Sequence, residues 1–351
     1  MYDYLIIGHG IAGAVLAQRL LAKGKTVMVL DTPKANQSSS VAAGIYNPIT
    51  GRKMSKTWKA DLLFPELTAF YQNLEQELDT KFLHPIGMYR PYWTAEDQND
   101  WESRKSDEKF KPYIAETSQT PLAAHPLEDA FGGLHLQQAG YVNVPQLLAA
   151  NKSYLENKGC YREIMFYESQ LKEENRGYCI DDIVANQLIF CNGIQACEGT
   201  LFGWLPFTPV KGEILDIKMA KQPEKIYNRG IFMVPTTTGS VRVGSTYKRS
   251  YDSVELTEEG KEELKSKLKG LYSGKYEVTS GTSGIRPATK DRKPLIGKHP
   301  EKENIYIFNG FGSKGVSFVP YFSKAFVRFL EEGEPLDPEV NIDRCLKYYQ
   351  K

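Results

Sequence analysis

Residues 4–31 read YLIIGHGIAGAVLAQRLLAKGKTVMVLD. An apolar run from Tyr4 to Gly8 leads into glycines at Gly8, Gly10 and Gly13. Ala12, Val15, Leu16, Leu20 and Leu21 then recur on one side of a helix that Gly24 stops, and TVMVLD closes the stretch at Asp31. That order predicts strand, tight turn, helix and strand. Within it the GxGxxG glycines supply a sharp turn, a close backbone approach to a pyrophosphate and close helix–strand packing. Ile11 and Ala12, at the helix start, offer free N–H groups to phosphate. Asp31 follows Gly13 by eighteen residues, near the spacing at which a carboxylate receives ribose hydroxyls. His9 contributes backbone here rather than imidazole chemistry. The competing reading is a bare βα turn with Asp31 capping a loop. The dinucleotide reading explains all five parts of the stretch at once.

The same stretch imitates a membrane anchor in hydropathy alone, but His9, Gln18, Arg19 and the spaced glycines argue against it. Lys and Arg number 44 against 43 Asp and Glu, so no global field directs the chain to nucleic acid or lipid. Five cysteines without a CxxC pair indicate neither a disulfide framework nor a metal site, and a cytoplasmic location is expected. The 21 tyrosines allow aromatic walls around a planar ligand, although packing accounts for most such rings.

Beyond residue 31 the chain changes character several times. A small-residue loop, QSSSVAAGIYNP, precedes an amphipathic helix from about Pro65 carrying Leu67, Phe70, Tyr71, Leu74 and Leu78. Residues 81–140 read as short strands, a charged stretch at 95–109 and loops. GYVNVPQLLAA restarts a helix, and NQLIFCNG is a buried-strand pattern. Residues 213–283 are strand-rich with one helix in ELTEEGKEELKSKLKGL, whose early acids and late lysines suit the helix dipole. NIYIFNG, FGSKG and a helix with Phe318, Phe322, Phe326 and Leu330 return to α/β text. The expected division is a discontinuous dinucleotide domain of residues 1–80, 141–212 and 284–351, and a substrate domain of residues 81–140 and 213–283 built on a mixed or antiparallel sheet.

GHGIAG with Asp31, SSSVAAGIYNP, GYVNVPQLLAA, LIFCNGIQA, PVKGEIL, IFMVPTTTGSVRVGST, SGIRPATKDRKPLIGKHP and NIYIFNGFGSKGVSFVP occur in order along nearly the whole chain. Together they resemble the FAD-dependent amine oxidases of the D-amino-acid oxidase and glycine oxidase type. The resemblance implies an α/β, Rossmann-like FAD-binding domain of the GR2 flavoprotein type. It places Gly8, Gly10, Ile11, Ala12, Gly13 and Asp31 on the dinucleotide and Ser39, Ser40, Ala43 and Gly44 along the pyrophosphate and flavin. Asn192 and Gly193 fall at a turn beside the dinucleotide, and Gly310, Gly312, Ser313, Lys314 and Gly315 at the pyrimidine side of the flavin. Arg286, in GIRPAT, matches the arginine that binds the substrate carboxylate; the competing role is a pair with an internal acid. The matching GIRP site carries no cysteine, which implies non-covalent FAD. Arg242 aligns with a lysine of the sarcosine-oxidase branch and either adds fixed charge near the flavin or is an exposed strand residue.

What the resemblance implies for function is oxidation of the C–N bond of a small carboxylate-bearing amine, glycine-like or N-substituted, by hydride transfer to flavin N5. GIYNP, VGSTYKRS and GFGSKGVSFVP are also similar to the oxidase half of the bifunctional enzyme that makes 5-methylaminomethyl-2-thiouridine in tRNA. Demodification of carboxymethylaminomethyl-uridine is therefore an alternative, although no methyltransferase half is visible. Arg52, Lys53, Lys56, Lys59, Lys248 and Arg249 are its candidate phosphate contacts. A dehydrogenase using an acceptor other than oxygen is a further alternative. Tyr46 and Tyr247 are candidate substrate walls whose competing role is packing, and Lys211 reads as structural.

Overall fold

A computed structural model describes residues 1–32, 37–122, 126–174 and 177–349. Its first sheet runs in the order 161–163, 27–31, 2–7, 183–190, 177–180 and 172–174, with 305–309 also pairing 183–190 and 295–298 pairing 305–309. The five strands 161–163, 27–31, 2–7, 183–190 and 305–309 are parallel, with Ile7 beside Leu30 on one side and Phe190 on the other. Alternate residues feed two cores. Tyr4, Ile6, Val27 and Val29 pack with the helix Ile11–Ala22 on one face, while Leu5, Ile7, Met28 and Leu30 join Leu188 and Phe190 on the other. This two-sided burial is why these strands read as continuous apolar runs.

Helices Ile11–Ala22, Ala60–Glu77 and Gly315–Glu332 cover the first face. The second of these begins at Ala60, earlier than the Pro65 that its apolar spacing predicts. Pro65 lies inside it, where its missing N–H forgoes only the bond to Asp61. The charged stretch after residue 94 also contains a helix, Ala95–Arg104, with Thr94 accepting from Asp97 N at 3.2 Å and Trp101 as its buried residue.

The second sheet runs 277–286, 210–218, 241–244, 232–235, 226–228, 88–91, 133–136 and 114–118. Its pairs are antiparallel except for 226–228 against 88–91. Leu215, Val241 and Val243 on one face bury against Leu264 and Leu268 of the helix Glu258–Lys269, which Thr257 caps by accepting from Gly260 N at 3.0 Å. The strands Val210–Lys218 and Glu277–Arg286 start and end beside the first sheet, which brings Arg286 next to the glycine turns. Among the described residues no helix is long and apolar enough to cross a membrane.

Candidate active site

The helix Ile11–Ala22 starts without a capping side chain at Gly10, and Ile11 N donates to Ser39 Oγ at 3.1 Å. This positive helix end opens into a cleft of about 300 Å³ lined by Gly8, Gly10, Ala12, Asp31, Asn192 and Gly193 among others. The close packing of the turn requires glycine: a Cβ on Gly13 would lie 1.9 Å from Gly8 O. Asp31 Oδ1 accepts from His9 N at 2.9 Å, which fixes the carboxylate against the turn. His9 Nε2 meets Asn151 Oδ1 at 2.7 Å away from the cleft, so this histidine serves packing. Asn192 Oδ1 is buried and has no hydrogen-bond partner among the described residues.

A second cavity of about 230 Å³ adjoins the cleft, sharing Ile11, Ser39, Gly312 and Gly315. Its walls include Ala43, Gly44, Ser313, Tyr247 and Arg286. The period of a strand explains how one segment serves both spaces. Gly284 and Arg286 line this cavity, while Ile285 and Pro287 line the cleft. The helix Gly315–Glu332 begins here with no side-chain cap, presenting a second positive helix end.

Arg286 Nη2 donates to Ser245 Oγ at 2.8 Å and Nη1 to Thr246 O at 3.4 Å. Both acceptors are neutral, and among the described residues it forms no ion pair. Burial lowers the guanidinium from its ordinary value, opposed by nearby Tyr247. The internal-acid pairing considered for Arg286 is therefore absent among the described residues. The adjacent acid, Glu213, is instead engaged by Lys211 Nζ at 3.0 Å, Thr246 Oγ1 at 2.9 Å and Thr257 N at 2.9 Å. Lys211 and Glu213 are fully buried, and their pairing leaves the charge of Arg286 uncompensated from within.

Several sequence-predicted residues take other places. Ser40 is exposed, its Oγ donating to Gln37 O at 2.8 Å, and Ser38 rather than Ser40 lines both spaces. Gly310 lies behind the wall, where a Cβ would meet Thr289 at 2.9 Å. Arg242 is part-buried rather than exposed: Nε pairs with Asp216 at 3.1 Å and Nη1 donates to Ala42 O at 3.2 Å, holding the loop that carries Ala43 and Gly44. Tyr46 is buried in the core against Phe64, whereas Tyr247 is exposed on the cavity wall. Ser245, Phe232 and Gln37 belong to the walls without a local sequence signal.

Lys314, also off the walls of these spaces, is pushed down to about 8 by burial and then by the charge of Arg90. Below that pH both folded and unfolded chains carry the charge, so its full cost is present. Between about 8 and the ordinary 10.5 the folded chain sheds the proton first, and the cost fades as pH rises. Lys314→Met should raise the melting temperature of the FAD-free protein at pH 7 by about 1–3 °C. That advantage should shrink towards zero by pH 10.5, and a gap independent of pH would contradict the assignment.

A family model described as FAD-dependent oxidoreductase (DAO) matches residues 3–328. The chain belongs to the DAO family. Members of this family are FAD-dependent oxidoreductases, and the uncapped helix starts, the orphaned Asn192 Oδ1 and the packed glycines fit that cofactor. The DAO chain is 26% identical to a glycine oxidase of Bacillus subtilis, over 91% of its own length and 90% of the relative's. It is 23% identical to the tRNA 5-methylaminomethyl-2-thiouridine biosynthesis bifunctional protein MnmC of Marinobacter nauticus, covering 91% of its own length but 54% of that protein. Among solved structures it resembles an iminodiacetate oxidase from Chelativorans sp. BNC1, with TM-score 0.81, 22% identity and coverage of 97% and 98% of the two chains. A glycine oxidase from Geobacillus kaustophilus gives TM-score 0.77 at 20% identity, covering 95% of each. The family acts on amine C–N groups, and the chain is an enzyme of that class.

Proposed function

We propose that the enzyme oxidises the C–N bond of a small amine bearing a carboxylate, glycine-like or an N-substituted glycine, with Arg286 as the carboxylate anchor. The observation that carries this reading is a guanidinium whose partners among the described residues are all neutral, in the wall of a cavity that adjoins the dinucleotide cleft. A planar fork of this kind takes a carboxylate bidentately and stays charged when desolvated. The glycine and iminodiacetate oxidases among the relatives support the same substrate class. Residues 1–80, 141–212 and 284–351 serve as the FAD-binding domain, and 81–140 and 213–283 as the substrate domain.

Gly8, Gly10, Ile11, Ala12, Asp31, Ser39, Asn192 and Gly193 would hold the dinucleotide, and Ala43, Gly44, Gly312, Ser313 and Gly315 would border the flavin without a covalent bond to it. FAD, when bound, supplies the acceptor for the two electrons removed from the amine. The chain's own part is to fix the carboxylate at Arg286, orient the carbon beside the nitrogen and limit water around it. The helix start at Gly315 adds a positive potential to that side.

The test is anaerobic bleaching of bound flavin by a panel of glycine, sarcosine, proline, D-amino acids and modified tRNA. Bleaching by small carboxylated amines is the expected result, and silence across them would reject the reading. Peroxide release in air distinguishes an oxidase from a dehydrogenase with another acceptor. The tRNA alternative has less behind it. Lys56 pairs with Asp61 at 2.6 Å, Lys59 with Asp337 at 2.7 Å and Lys248 with Glu259 at 2.8 Å, so half of its candidate phosphate contacts already serve acids.

A further inference from the structure

The cavity around Arg286 shares part of its wall with a neighbouring space. Ser245 and Phe232 also line a separate chamber of about 520 Å³, whose other walls include Arg52, Arg90, Trp93 and Asn228. Arg90 sits in the strand Met88–Pro91 and is 5% exposed. Its Nη1 and Nη2 donate to the carbonyls of Ile49 at 2.7 Å and Gly51 at 2.8 Å, and Gly51 lines the chamber too. Among the described residues its Nε is buried without a partner and no carboxylate pairs with it. Burial pushes the guanidinium down to about 10, which leaves it charged at neutral pH. The charge of Lys314 adds repulsion rather than relief. Arg52 stands exposed on the same chamber, 5.8 Å from the Trp93 ring centre.

A buried cation without a counter-ion is costly, and a cavity beside it is the place from which a ligand's anion removes that cost. Arg286 and Arg90 thus face two adjoining spaces that meet at Ser245, each a guanidinium on neutral acceptors. We propose that the chamber of Arg90 and Arg52 is a subsite for a second acidic group, so that the substrate is an N-substituted glycine whose nitrogen carries an acidic arm. This rests on the reading of Arg286 as the anchor of the glycine carboxylate. A glycine with a bare nitrogen leaves the chamber empty. An acidic arm places one anion in each space, with the C–N bond between them.

The test uses thioether dicarboxylates, in which sulfur replaces the reacting nitrogen, with one to three methylenes in the second arm. Titration calorimetry on the FAD-loaded protein compares each with methylthioacetate, which has one carboxylate. At least one arm length should bind about tenfold tighter than methylthioacetate. Arg90→Met should abolish that advantage and Arg52→Gln should reduce it; because Arg52 is exposed, its variant decides the matter if the Arg90 variant does not fold. The proposal is overturned if no arm length gains over methylthioacetate, or if the gain survives these substitutions. Arg286→Ala in the same titrations should weaken both kinds of probe by a similar factor. If it weakens neither, the anchor reading fails, while the comparison between probes still judges the chamber.

Discussion

Arg286→Ala should lower kcat/KM for carboxylate-bearing amines by about 10³-fold, with FAD content and melting temperature preserved. The size follows from losing a charge-assisted fork inside a partly desolvated cavity, where truncating one partner costs about 2–5 kcal/mol. Stability should hold because among the described residues the side chain bonds only Ser245 Oγ and Thr246 O, and removing it relieves a cation without a paired acid there. The strand itself survives, since Arg286 pairs with Val210 through the backbone. Glycinamide and other amines without a carboxylate provide the control. Loss confined to carboxylated amines assigns the effect to the anchor, an equal loss on both assigns it to packing, and an unchanged kcat/KM removes Arg286 from substrate binding.

What could be read along the chain was what local periodicity and glycine sterics record. Residues 4–31 carry the alternation that sends Leu5 and Ile6 to opposite cores and the glycine that lets the helix close on Gly8 O. Both parallel and antiparallel sheets were legible by the same means. The helix Ala95–Arg104 was hidden because only Trp101 is buried, so no apolar stripe marks it; Thr94 with acids behind it was the available signal. Ser38 taking the place of Ser40 is a matter of how Gln37 bridges Ile285 from a distant part of the chain, which no local pattern encodes. Alternation indicated the face on which Arg242 lies, but not that Asp216 stands opposite it in register. Arg90 was missed for a similar reason. In MYRPYW it reads as an ordinary strand cation, and its isolation from acids depends on the carbonyls of Ile49 and Gly51.

Gly212→Ala should mimic much of the loss at Arg286 without touching that residue. Gly212 lies across from Gly284 in the paired strands and lines the same cavity, and the guanidinium occupies the space a side chain at 212 would take. A Cβ there would lie 2.0 Å from Nη2 and 2.3 Å from Cζ, closer than atoms can approach. The obstacle is the far end of a flexible side chain, so the backbone can stay while the fork is driven aside. Strand stability should change by less than about 1 kcal/mol, because alanine fits an extended backbone and glycine gains nothing there by its freedom. A displacement of about 1 Å in a positioning group can cost 10²-fold in rate, and that is the loss expected in kcat/KM for carboxylated amines. Combining Gly212→Ala with Arg286→Ala separates the causes. If alanine at 212 acts through the guanidinium, the double variant is no worse than Arg286→Ala alone, since the two changes remove one shared interaction. Additive losses would mean that Gly212 shapes the cavity by another route, and a fully active Gly212→Ala enzyme would show that the orientation of Arg286 against this strand is not the one used in binding.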